Sequence, residues 1–353
     1  MGKYFILILF FLSGCICGKK ISDKEREKIP VVSYSSEEVV KEESIKPAEE
    51  VKMEEIKAEE IKTEKIKTGK NKEQTNKKEE IVLLPKEKIP KKEEKKVEEN
   101  PPKKIYLEKW IGECLIYNLK WNLMSFGKAF VICFDEKDNF HLVGITIPEG
   151  LPRQFGYGYN RIDSFIDKKT GKTKYFYLYT KQGKAETTTE IFFNWSGKQY
   201  TVVAKKYREK KLNLTKRNVI KFEDDIYDPL SILYLLRDLS IKSIKDIEYP
   251  IALSEKWYLK INYKGGGITK LPQGETKEVY IIEPLARTEK EKFKEGKLNI
   301  YITKDDEKIP VHFEGKVPIG KANLYLISKQ KIESSKYNNV EEVINEILKY
   351  LKG

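Results

Sequence analysis

From Gly18 to Lys104 the chain carries one aromatic residue, Tyr34, and 24 basic against 22 acidic side chains. Such a segment has too little apolar surface to offset the entropy of ordering its backbone, so it cannot supply a core. Pro recurs through it. A five-residue repeat runs from Val51-Lys52-Met53-Glu54-Glu55 to Ile66-Lys67-Thr68-Gly69-Lys70. That period winds the aliphatic positions around a helix instead of stacking them on one face. Residues 15–104 are therefore expected to form a disordered tether, on the order of 50 Å end to end as a coil. The alternative is a segment that folds only on a partner. Either way, any stable fold is confined to residues 105–353.

The tether is preceded by a positive start (Lys3), an apolar run from Tyr4 to Leu12, and Leu12-Ser13-Gly14-Cys15. This is the order of a secretory signal, and the run is too short for a spanning helix of about 20 residues. The tetrapeptide resembles the bacterial lipobox. That resemblance implies a signal peptide over residues 1–14, a diacylglycerol on the Cys15 sulfur and an acylated mature N-terminus. The alternatives are an uncleaved apolar anchor, or an ordinary signal with a chance cysteine. Ile16 stands where an Asp would suggest inner-membrane retention, so the expected address is the cell envelope, lipid-anchored at the outer membrane and facing the periplasm. The membrane, reached through the N-terminal lipid, is the expected partner. Cys17 is assigned no role.

The 353 residues include 68 Lys and Arg against 55 Asp and Glu, a net charge of +13. Lys outnumbers Arg roughly nine to one, whereas bidentate base reading favours Arg, so nucleic acid is not an expected partner. The excess reads either as a contact with anionic lipid or simply as a solubility device.

Beyond residue 104 aromatics return in short alternating runs. Strands are expected at Leu115–Trp121, Phe126–Phe134, Lys174–Thr180, Thr187–Trp195, Gln199–Tyr207, Lys256–Tyr263, Glu278–Glu283, Leu298–Thr303, Ile309–Glu314 and Ala322–Ser328. Turn-forming clusters separate them. The fold class is mainly β: an antiparallel curved sheet, barrel-like or a sandwich. Two helices interrupt it. Asp228-Pro229-Leu230-Ser231 opens the first with an N-cap Asp and an N1 Pro. It is apolar nearly all round to Arg237, so it should be buried, plugging or backing the sheet. The second, over 339–352, is amphipathic, with acids in its first turn and Lys in its last, and should dock on the β-domain.

Several of these segments, taken in order, resemble a known family. Gly112-Glu113-Cys114-Leu115-Ile116-Tyr117, then Phe126-Gly127-Lys128-Ala129, resemble its opening pattern. Asp228-Pro229-Leu230-Ser231 with Tyr234-Leu235-Leu236-Arg237 resembles its most distinctive motif. Leu271-Pro272-Gln273-Gly274, Phe293, Gly296-Lys297-Leu298, Tyr301, Asp305-Asp306, Ile309-Pro310-Val311 and Ile319-Gly320 follow in the expected order. The family is domain of unknown function 3108, and the resemblance covers about residues 105–330. Usual members have Trp where Tyr301 stands and Arg where Lys308 stands. The resemblance implies a largely β envelope domain and supplies no catalytic residues.

No phosphate loop, nucleophile elbow or His-Glu-x-x-His zinc motif is present, and the chain has only two histidines, His141 and His312. No catalytic residue, metal site or cofactor is therefore expected. Gly265-Gly266-Gly267 reads as a flexible hairpin loop, and Asp305-Asp306 as a hairpin turn. Asp224, Asp225, Asp228 and Arg237 gather around the first helix, where Asp228 is read as a cap and Arg237 as the partner of a carboxylate; the alternative is a polar site at the mouth of a cavity. A strand pairing centred between Leu123 and Met124 would set Cys114 opposite Cys133, within reach of a disulfide in an oxidising compartment. The aromatics Tyr157, Tyr159, Tyr175, Tyr177, Tyr179, Phe192 and Phe193 either line a cavity or fill a core. The expected function is non-enzymatic: a membrane-tethered β-domain binding a hydrophobic ligand or an envelope protein. The alternative is a hydrolase of envelope lipid or glycan using carboxylates such as Asp224, Asp225 or Asp305.

Overall fold

The computed structural model describes residues 105–350 apart from 123, 155–156, 242–246, 290–297, 317–319, 334–336 and 338. The signal peptide, Cys15 and the tether lie outside the described residues.

Among the described residues, fourteen antiparallel strands form one sheet. The first eight follow one another as a meander: β1 (Glu113–Trp121), β2 (Met124–Asp135), β3 (Asn139–Pro148), β4 (Tyr157–Asp167), β5 (Thr173–Gln182), β6 (Ala185–Asn194), β7 (Gln199–Arg208) and β8 (Lys211–Lys221). A five-residue helix α1 (Gly150–Gln154) lies between β3 and β4, and the helix α2 (Ser231–Asp238) follows β8. The second meander is β9 (Glu248–Ala252), β10 (Lys256–Lys270), β11 (Thr276–Thr288), β12 (Leu298–Thr303), β13 (Pro310–Lys316) and β14 (Lys321–Lys331), and the chain continues into α3 (Val340–Tyr350). β14 pairs with β1, which joins the two meanders into one continuous order from β8 to β9. β8 and β9 are the two ends of that order and do not pair with each other, so the sheet curves without closing.

The curvature is organised around α2. Every residue from Ser231 to Arg237 is buried. Ile232, Leu233, Leu235 and Leu236 share one core with Leu115 and Tyr117 of β1, Phe176 of β5, Tyr200 of β7, Ile261 of β10 and Ile300 of β12. A helix apolar on all sides needs a wall on all sides, and strands of both meanders provide it. The expectation of a buried helix inside a barrel-like sheet holds, and the two-sheet alternative does not.

A second core lies on the opposite, convex face. Cys114, Ile116, Phe130, Ile132, Phe134, Val143 and Ile145 pack there with Val343 and Ile344 of α3. The central strands β1–β3 are thus buried on both faces, which explains their almost unbroken apolar sequences. Gly127 sits where no side chain fits: a Cβ would lie 2.1 Å from the Ile147 carbonyl oxygen.

Two expectations are corrected. Gly265-Gly266-Gly267 is not a loop; it lies inside β10, where the ladder to β11 slips between Tyr263 and Gly265. The triplet marks a bulge. Cys114 and Cys133 are free and do not face each other. Cys114 pairs with Ile132, one residue away from the expected register. That single step sends Cys114 to the convex core and Cys133 to the concave one.

Candidate functional site

The Asp228–Arg237 motif resolves into two clamps, one at each end of α2. At its start, Asp228 Oδ1 accepts the backbone N–H groups of Leu230 (2.9 Å) and Ser231 (3.0 Å). Its Oδ2 accepts the hydroxyls of Ser164 on β4 and Thr173 on β5, both at 2.7 Å. Ser231 Oγ donates back to the Asp228 carbonyl at 3.1 Å. One carboxylate therefore caps the helix and ties it to two strands, and Pro229 has no N–H to leave unpaired. Leu230 joins the concave core.

At the other end, both terminal nitrogens of Arg237 donate to the Glu113 carboxylate, and Nη2 also donates to the Glu307 carbonyl at 3.1 Å. The guanidinium lies 4.6 Å from the Trp110 ring centre and 5.2 Å from that of Tyr234. Both partners of the pair are buried, Arg237 at 1% and Glu113 at 3% exposure. The carboxylate expected opposite Arg237 is thus the Glu of the opening Gly112-Glu113 pair. Lys308, from the turn between β12 and β13, donates to the carbonyls of Asp238 (3.4 Å) and Leu239 (2.8 Å) and places a cation at the C-terminus of the helix.

The other acids named from sequence do not join this site. Asp224 is exposed, and Asp225 pairs with Lys172 at 3.2 Å. Asp305 accepts from Thr303 Oγ1 (2.6 Å) and the Lys308 backbone N–H (3.1 Å), and so builds the expected turn.

A charged cluster that the sequence reading missed lies under α3 on the convex face. Arg161 and Asp163, two residues apart on β4, are fully buried. Arg161 Nε and Nη2 grip Asp163 at 2.7 and 2.8 Å, and Nη1 donates to Glu341 of α3 at 2.6 Å. His141 on β3 bridges Asp163 (Nε2, 2.8 Å) and Glu136 (Nδ1, 2.7 Å) and stacks on Phe165 with ring centres 4.0 Å apart. Burial alone would push the imidazole pKa down, but the hydrogen bonds with Asp163 and Glu136 outweigh it and the pKa rises. Burial likewise opposes the Asp163 charge, and the His141 hydrogen bond and the Arg161 charge hold its carboxyl below the ordinary range. The only sequence signal was the spacing of Arg161 and Asp163 on either side of Ile162, in a strand that also carries Asn160, Ser164 and Asp167.

The aromatic set divides by strand parity. Phe176 and Phe193 face the concave core, so Tyr175, Tyr177, Tyr179 and Phe192 point the other way. Tyr175 packs on Phe192 with ring centres 5.1 Å apart, and Tyr159 lies beside the convex core. The Tyr157 side chain lies outside the described residues. Most of these rings are therefore outside the curve of the sheet, not lining its interior.

The concave side instead holds polar atoms without partners. The hydroxyls of Tyr234 and Tyr249 and the indole N–H of Trp110 are buried and make no hydrogen bond among the described residues. Burial pushes the Tyr249 pKa to about 12 and that of Tyr234 well above its ordinary value. Among the described residues, no group of His, Cys, Asp and Glu is placed to hold a metal ion, and no helix is long and apolar enough to cross a membrane.

No curated protein matches this chain. Among solved structures, the chain is similar to a beta-barrel-like protein of domain of unknown function DUF1849 from Brucella abortus. The identity is 11%, the match covers 65% of this chain and 99% of that one, and the TM-score is 0.39. The family model described as Protein of unknown function (DUF3108) matches residues 116–327, from within β1 to within β14 and including the whole Asp228–Arg237 motif. The chain belongs to the DUF3108 family.

Proposed function

We propose that this protein is a lipid-anchored envelope protein whose β-domain binds an amphiphilic ligand on the concave side of its sheet. The observation that carries the reading is the pair of buried hydroxyls, on Tyr234 and Tyr249, that lack an acceptor among the described residues although both rings belong to the concave core. A buried donor left unmade costs about 1–3 kcal/mol, and native proteins leave few of them. Apolar walls with a small number of convergent polar groups are the usual lining of a small-molecule site. The ligand class that fits is a hydrocarbon body ending in an oxygen acceptor, such as an acyl ester or a fatty carboxylate. The sheet does not close between β8 and β9, which gives such a ligand a side from which to enter.

The anchor rests on the Leu12-Ser13-Gly14-Cys15 sequence. Three acyl chains, each methylene contributing about 0.8 kcal/mol, would hold the protein at a bilayer essentially irreversibly. Metabolic labelling with a palmitate analogue tests this half separately: the wild type takes up label and a Cys15→Ala variant does not. Extraction of the purified wild type followed by mass spectrometry tests the other half. A stoichiometric amphiphile is expected, lost when Tyr234→Phe and Tyr249→Phe are combined. A purified protein free of amphiphile, or a double variant that retains it, refutes the binding site while leaving the anchor untouched.

A further inference from the structure

The charge of this protein is not spread evenly. Between Lys205 and Lys221 there are eight basic residues and one acid, Glu209, a net of +7 in a chain whose total is +13. The segment comprises the end of β7 and all of β8, joined by a two-residue turn at Glu209 and Lys210, both with positive φ. The acid is already engaged, since Glu209 pairs with Lys184. Lys206, Lys210, Lys211, Lys216, Arg217 and Lys221 are all exposed and enter no ion pair among the described residues, while Arg208, also exposed, lies close enough to Glu209 to act on its charge.

The same strand collects exposed apolar side chains. Every residue of β8 but Ile220 is exposed. Of the six large hydrophobic residues that stand out in solvent among the described residues, three are on it: Leu212 at 56%, Leu214 at 46% and Val219 at 55% exposure. β8 is also the free end of the sheet order, and both of its faces are open. A strand exposed on two faces gains nothing from apolar residues within its own fold. A free edge is usually protected from other strands by charge, and Lys is the common choice. Leucines interleaved with the lysines weaken that protection, so edge protection alone does not account for this composition.

Six cations outside any ion pair, together with protruding leucine and valine, fit a surface that is anionic outside and apolar just beneath. We infer that the β7–β8 hairpin docks edge-on against an anionic phospholipid bilayer, with Lys and Arg from both of its faces meeting the phosphates and Leu212, Leu214 and Val219 entering the interfacial layer from either side of the β8 edge. This docking requires neither the concave-side ligand nor the lipid anchor. It sets which side of the domain faces the membrane.

The test uses the mature chain, beginning at residue 15 with Cys15→Ser so that no acyl chain contributes. Co-sedimentation is measured with vesicles of phosphatidylcholine mixed with phosphatidylglycerol, and with phosphatidylcholine alone. Binding is expected only to the anionic vesicles, falling as salt shortens the Debye length from about 10 Å at 0.1 M to 3 Å at 1 M. Lys216→Glu, Arg217→Glu and Lys221→Glu together should lower partitioning by about a hundredfold or more. Leu212→Ser with Leu214→Ser should keep low-salt binding and remove the part that survives high salt. A milder variant, Lys210→Gln with Lys211→Gln at the solvent-exposed turn, should show a smaller loss in the same direction. Equal binding to both vesicle types overturns the proposal, as does binding unchanged in the charge-reversed chain. A dimer in solution that the charge reversal dissolves, with no vesicle binding, would assign the edge to a second copy of this chain instead.

Discussion

Arg237 and Glu113 are a buried ion pair, and burial makes each dependent on the other. Removing one partner leaves the other charge desolvated, a loss of about 3–5 kcal/mol, whereas replacing both with apolar or neutral groups is often close to neutral. Arg237→Met should therefore lower the unfolding free energy by about 3–5 kcal/mol, and adding Glu113→Gln should recover most of it; denaturant titrations of the two variants check this. The cysteines follow from the same region. Burial, and then the Glu113 charge, push the Cys114 thiol to about 12, and burial raises Cys133 as well. Both should resist alkylation in the native protein at pH 8 and react fully once denatured without reductant, as mapped by peptide mass. A bridged peptide would contradict the register of β1 and β2. That register was not legible in the sequence: Cys114 and Cys133 satisfy the alternation of their own strands under either pairing, and only the tertiary fold selects the one that separates them.

The elements differ in how openly the sequence declares them. α3 has acids first, Lys last and an apolar stripe, and it forms where expected, over Val340–Tyr350. α2 is announced by its Asp-Pro start. β12 occupies the residues its alternation marks, Leu298–Thr303. β4 escaped notice because buried Arg161 and Asp163 break its apolar period, and a charge is read as exposed unless its partners are known. β8 escaped because it buries almost nothing and owes its existence to the ladder with β7. The charges hidden in β4 fix the pH response of the α3 contact. The His141 pKa is raised in the folded state, so its contribution is full below the ordinary value of 6.5 and is lost as pH climbs through the raised one. Asp163 is lowered, so its contribution is present above the ordinary carboxylate value and fails in acid, as pH falls through the lowered one. Stability measured by denaturant from pH 6 upward should decline across the His141 window in the wild type and stay level there in His141→Phe. Glu341→Gln, which removes the carboxylate held by Arg161 without removing a turn of helix, should loosen α3 and raise amide exchange along it ahead of the sheet.

At the scale of the molecule, β1 and β14 pair across more than 200 residues, and neither meander owns a complete core. α2 is reached only after β8, yet its two ends are held by β4 and β5 on one side and by Glu113 and the turn after β12 on the other. A polypeptide arranged in this way has few stable halves: the first eight strands without β9–β14 would expose one side of α2 to water. The described domain should therefore unfold as one unit, and its tryptophans can report whether it does. Trp110 and Trp121 lie at the joint of the two meanders, Trp195 follows β6 and Trp257 is on β10. Their fluorescence samples both halves, whereas far-UV circular dichroism weighs all strands. The two signals should give coincident denaturant transitions with a common midpoint. With so many long-range pairings, refolding should be slow for a domain of its size, because the entropy of closing those loops precedes the contacts that offset it. Separate midpoints for Trp257→Phe and Trp195→Phe variants would mean that each meander carries its own core, and the assignment of α2 as the shared centre of the fold would fail.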